Sequence, residues 1–186
     1  TKRLRNIFFN INTNAKKIDS NEQTIMDEQN SFAILARAVA FGKKIGNEKI
    51  SNHKLFNPSP SSKEKVKSKN TSLGEKDTNI VTLQGIKEGA QKYFTARDEE
   101  KVNELLPKGQ SPRTPSDTDL KELLNEFNEL LDLIAELPVF KSIDRGDKPE
   151  DFRNSPSEQY DTETNEKLKG HLLLRKIGFP ILTAAV

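Results

Sequence analysis

The chain has no cysteine and no tryptophan, one methionine and two histidines among its 186 residues. Without thiols there is no disulfide framework and no thiolate metal site. His53 lies in a polar stretch and His171 far downstream, so neither has a partner at metal-ligand spacing. Apolar residues are scarce as well. Hydrophobic residues make up 33%, aromatics 6% and charged residues 31%, against about 45–50% apolar, glycine included, in ordinary globular chains. No apolar run reaches the roughly 18 residues that a membrane-spanning helix needs. The basic start Thr1-Lys2-Arg3-Leu4-Arg5 lacks the apolar stretch of a secretory signal. A start without Met fits a processed chain or a piece of a longer one.

Catalytic signatures are equally thin. The phosphate-cradling glycine loops and the strand-turn nucleophile motif do not occur. Acid runs such as Asp98-Glu99-Glu100 read as a solvated helix face. The expected class is therefore non-enzymatic, with no cofactor and no metal.

Thirty basic and 28 acidic residues give a net charge of +2, too little for adhesion to nucleic acid by charge alone. The distribution is uneven. Residues 1–18 carry Lys2, Arg3, Arg5, Lys16 and Lys17 and no acid. Residues 47–70 carry six lysines against Glu48 and Glu64.

What is present is helical patterning. After a basic arm (1–19), a helix is expected over 20–46. Ser20 and Gln23 read as its capping box, Lys43 and Lys44 as its last turn, and Gly46 as its stop. Its apolar face holds Ile25, Phe32, Leu35 and Val39. Residues 47–79 read as a solvated Pro/Ser/Lys linker, since they offer little to bury. A helix follows over 79–106, weakened by Gly85 and Gly89, whose spacing signals a close crossing with weight only in an apolar membrane segment, which this is not; then comes a loop over 107–115. The strongest pattern lies over 116–137, behind a Ser116 cap. There Leu120, Leu123, Phe127, Leu130, Ile134 and Leu137 alternate at heptad spacing. Leu124, Leu131 and Leu133 widen that band beyond a two-stranded seam. Residues 138–161 read as irregular. A last helix over 162–177, stopped at Gly178 with Phe179 touching Leu174, precedes an apolar tail, together 162–186.

The fold class implied is mainly α: three to four amphipathic helices joined by long polar linkers, partly extended, and not a single compact autonomous domain. Connections in helical bundles are usually about 2–8 residues, far shorter than 47–79, and isolated short helices are marginal in water. The expected function follows from that. It is a non-enzymatic scaffold or adaptor subunit that ties other proteins of a large complex together. Phe32, Leu35, Val39, Leu120, Leu123, Phe127, Leu130, Ile134 and Leu137 would form its partner-binding faces. A self-associating coiled coil through the heptad helix is a related expectation.

Four Ser/Thr-Pro pairs offer phosphorylation at Ser59, Ser111, Thr114 and Ser155. With the lysine run they favour the nucleus and a chromatin or transcription complex. The acid-free arm makes the mitochondrial matrix the second choice. The rival function is a nucleic-acid-binding subunit, using the arm and Lys63, Lys65, Lys67 and Lys69 to neutralise phosphates.

Overall fold

The computed structural model describes residues 19–105, 115–154, 156–160, 167–169, 171–174 and 178–185, and it is predominantly helical. Two helices, α1 (Ser20–Met26) and α2 (Ser31–Phe41), replace the single one expected over 20–46. Asp27 makes the break. Its carboxylate accepts the Gln29 and Asn30 N–H groups at 3.0 and 2.9 Å. Asn30 Oδ1 in turn accepts from Phe32 and Ala33 and caps α2. Short polar side chains that bond neighbouring backbone compete with helix in this way. The first cap also lies one residue earlier than expected, as a reciprocal pair between Asp19 and Glu22. Gly42, at φ 72°, ends α2. Lys43 and Lys44 then open strand β1 (Lys43–Ile45), which pairs antiparallel with β2 (Glu48–Ile50).

The segment 47–79 is a correction to the sequence reading. It carries a 3-10 turn at Lys54–Phe56 and strand β3 (Val66–Lys67), which pairs parallel with β4 (Val81–Thr82). Leu55, Phe56 and Val66 are buried in the core. Polar side chains hold the rest. Arg153 donates to the carbonyl oxygens of Gly74, Asp77 and Asn79. Asn79 donates to Glu64 O at 2.5 Å, and Asn21 Nδ2 donates to Asn70 O.

Thr82 caps α3 (Leu83–Arg97), and a break at Asp98 separates it from α4 (Glu99–Leu105). The heptad helix forms as expected: α5 (Asp117–Ala135) begins behind Ser116, whose hydroxyl accepts the Asp119 N–H at 3.1 Å. Pro138 does more than end it. As the first residue of α6 (Pro138–Arg145) it uses its fixed φ where no amide donor is needed. With α7 (Pro149–Asn154), α6 replaces the first part of the irregular stretch expected over 138–161.

The described part of the last segment is not the helix expected over 162–177. Lys167–Lys169 forms strand β6 against β5 (Pro156–Tyr160), and Leu172–Leu174 is a 3-10 turn. The alternation Lys167-Leu168-Lys169 has the period of a strand. Gly178 opens a helix, α8 (Gly178–Ala184), instead of closing one. Pro180 fits there because the first turn leaves its amides unpaired.

The core is one continuous cluster running from Phe32 to Phe179. Phe32 stacks on Phe94 with ring centroids 5.9 Å apart, and Phe94 meets Phe127 at 6.3 Å. Helix α3 sits against α1, α2 and α8. Gly89 allows the last of these: a β-carbon there would stand 3.0 Å from Phe179 and from Thr183. The close approach is made by Gly89 alone, since Gly85 faces Val81 and Thr82 at its own helix start.

Phe32, Leu35, Val39, Leu120, Leu123, Phe127, Leu130 and Ile134 are all buried among the chain's own side chains, with Leu137 half-buried against them. The helical stripes thus cover one another, contrary to the expectation that a foreign surface must do so. The apolar area that seemed missing comes from Leu55, Phe56, Val66, Phe140, Ile143 and Phe179, which lie in segments read as linker, irregular loop and tail.

Candidate functional site

The sequence-derived sites fare unevenly. Of the nine helix residues named as partner-binding, eight build the core and Leu137 packs against it. The seam of α5 that a self-associating coiled coil would use is buried inside this chain as well. Of the four lysines offered to nucleic acid, Lys65 is buried and paired with Asp144, and Lys67 lies 2.6 Å from Asp77. Against the upward push of burial, the Lys67 ammonium and the Gly74 N–H hold the Asp77 carboxyl below the usual carboxylate range. Only Lys63 and Lys69 point freely to solvent. Ser59 is half-buried and bridges Ser62 through the backbone. Ser111, Thr114, Ser155 and the basic arm through residue 18 lie outside the described residues.

His53 is a structural tie. Its Nδ1 accepts the Leu55 N–H at 3.2 Å, and its Nε2 faces Asp132 Oδ1 at 3.3 Å. Both ring nitrogens are engaged, so neither is a free base. Burial pushes the imidazole below the ordinary histidine value, even with the Asp132 carboxylate opposing. The hydrogen bond from Lys54, at 2.7 Å, holds Asp132 low.

Arg37 is a second tie. It is buried on α2 and donates to the carbonyls of Thr24 and Asp27, which are left open at the end of α1, and to Glu28 at 3.0 Å. Glu28 also meets Lys43 at 2.5 Å. This chain of contacts brings the end of α1 beside the root of the β1–β2 hairpin.

The surface feature with the most chemistry lies at that root. Phe41, Gly42, Lys43, Lys44, Lys49, Ile50, Ser51 and Asn52 line an open concavity of about 560 Å³. Its shape comes from the backbone. Gly42 turns the chain out of α2 at φ 72°, and a β-carbon there would stand 2.8 Å from Ile50 O. The end of β2 therefore crosses directly over the end of α2. In the hairpin, Lys43 faces Ile50 and Lys44 faces Lys49. Ile45 is buried, so alternation puts Lys44 and Lys49 together on the outer face. The far end is fixed too. Lys121 of α5 holds Glu48 at 2.7 Å, and the Asp117 carboxylate packs on Gly46.

Sequence reasoning missed this site by extending the first helix through it. The signal was present: Gly46-Asn47 between two short runs is a two-residue hairpin turn, with Gly46 at φ 57°.

Among the described residues, five large apolar side chains are exposed: Ile25 and Met26 on α1, Phe41 on α2, Leu133 on α5 and Ile181 on α8. Among the described residues no group of acids and histidines is placed to hold a metal ion, and no helix is long and apolar enough to cross a membrane. No family model, curated protein or solved structure matches the chain.

Proposed function

We propose that this protein is a non-enzymatic adaptor that joins other proteins into a larger assembly. It does so as a preformed folded unit, through surface side chains and not through the stripes of its helices. One observation carries the reading. A chain of only 33% hydrophobic residues fills a core and still leaves Met26 and Leu133 about two-thirds exposed and Phe41 about half exposed. Single exposed apolar residues are ordinary, but Ile25, Met26 and Phe41 flank one junction. Arg37 bonds the end of α1, and Phe41 lies one turn beyond Arg37 on α2. Aromatic and methionine side chains are the types enriched where proteins meet.

A nuclear setting belongs to the same proposal. It rests on the Ser/Thr-Pro pairs and on the exposed Lys63 and Lys69.

The test is hydrodynamic. The protein in extracts of its native cells should sediment as a particle well above its own 21.0 kDa. A double variant, Met26→Glu with Leu133→Glu, should sediment as the single chain while keeping its helical circular dichroism. If the unaltered protein already sediments alone, the adaptor reading is wrong.

A further inference from the structure

The hairpin root carries charge that folding does not use. Lys44 and Lys49 stand directly opposite each other in the antiparallel pair, which brings their β-carbons to within about 4.5–5.5 Å. Like charges in that position destabilise a hairpin. Among the described residues neither has an acidic partner, while Lys43 beside them is paired with Glu28. Next to these ammonium groups is an exposed aromatic, Phe41, in a concavity of about 560 Å³. That volume lies within the roughly 300–1,000 Å³ typical of ligand sites. The hairpin is tied to α2 at one end, where it crosses Gly42, and to α5 at the other, through Lys121–Glu48 and Asp117 against Gly46.

We propose that this concavity docks a short acidic segment of a partner protein. An apolar side chain of that segment rests on Phe41, and its carboxylates bridge Lys44 and Lys49. The inference rests on the adaptor reading and names one of its docking points. The flanks favour a peptide over a nucleic acid. Glu28, at the Lys43 side, and Glu48, at the hairpin tip, both stay largely exposed. A phosphate backbone running past the concavity in either direction would meet these carboxylates. A peptide confines its negative charge to a few residues. Single-strand binding also uses successive aromatic platforms, and the lining offers only Phe41.

The experiment uses the full chain and a fluorescein-labelled glutamate-rich peptide with interspersed leucines, read by anisotropy at about 50 mM salt. The control is the same peptide with glutamine for glutamate. The acidic peptide should bind and the control should not. The double variant Lys44→Gln with Lys49→Gln should weaken binding about tenfold or more, and Phe41→Ala should weaken it by a similar factor. The lysine variant should also unfold at a slightly higher temperature, since it removes a repulsion. A loss of binding through misfolding would lower that temperature instead.

Equal binding by the lysine variant, or no binding by the unaltered chain, overturns the docking site. Tighter binding of an oligothymidylate than of the peptide also overturns it, in favour of nucleic acid. None of these results touches the sedimentation test, so failure of this site and failure of the adaptor reading are told apart.

Discussion

Helix α5 and the segment 47–79 are both ordered, but opposite means hold them. Helix α5 sits in place by burial: Leu120, Leu123, Leu124, Phe127, Leu130, Leu131 and Ile134 all leave water. The 47–79 segment buries three apolar side chains, Leu55, Phe56 and Val66. Otherwise it relies on charged and amide groups that reach its backbone or its lysines from elsewhere in the chain. Arg153 comes from more than seventy positions downstream, Asp144 meets Lys65 from a similar distance, and Asn21 reaches Asn70 from the other direction. A polar stretch is therefore no sign of a solvated one. Its backbone carbonyls need partners, and distant donors supply them.

The comparison breaks most decisively at the core. Phe127→Ala should cost about 3–5 kcal/mol, because Phe127 is fully buried between Tyr93 and Phe94. Denaturant unfolding measures it, and the loss should spread to every helix that shares the cluster. A cost below about 1 kcal/mol would mean that α5 is not held by burial.

Arg153→Met keeps the bulk of the side chain and removes its donors. The carbonyls of Asp77 and Asn79 then lose their guanidinium donor, while Gly74 O keeps the Asp77 N–H, at a cost of about 1–3 kcal/mol. Here the effect should be local. Hydrogen exchange should accelerate in residues 64–80 and stay unchanged in α5. Uniform acceleration across the chain would erase the distinction between the two regions.

How much of this was readable in advance depends on which force holds a residue. The Ser116 cap and the heptad of α5 were legible because both are written within a few turns of one helix. The break at Asp27 was missed, since apolar residues at helical spacing, Ile25 and Phe32, lie on both sides and only two side-chain bonds decide it. The roles of Arg37 and Arg153 were invisible. A buried arginine that satisfies carbonyls looks, in sequence, like any surface arginine. For the hairpin root, Gly46-Asn47 carries a turn signal, but Gly46 was read as the stop of the alanine-rich helix before it. The chance that brings Phe41 beside Lys44 and Lys49 needed the structure.

The smallest expected effect is on pH, and it probes the seam between the two regions, where His53 touches Asp132. The fold holds this imidazole neutral, with its proton affinity below the ordinary value. Its contribution is therefore fully present above the unfolded histidine value of about 6.5. It is lost as the pH falls below that value and through the lower folded one. Stability against urea should decline between neutral and mildly acid pH, and His53→Gln should flatten that slope. An unchanged slope in the variant would move the titration to another group.

The guanidinium of Arg153 has one further consequence, for the order of assembly. The hairpin at 43–50 closes over a two-residue turn and can form as soon as that stretch of chain exists. The loop around Gly74 cannot lock until α7 has arrived from far along the chain. Local closure is fast, and long-range closure waits on the entropy of the intervening residues. The polar loop is thus the last part of this half of the molecule to latch, and the first to come undone.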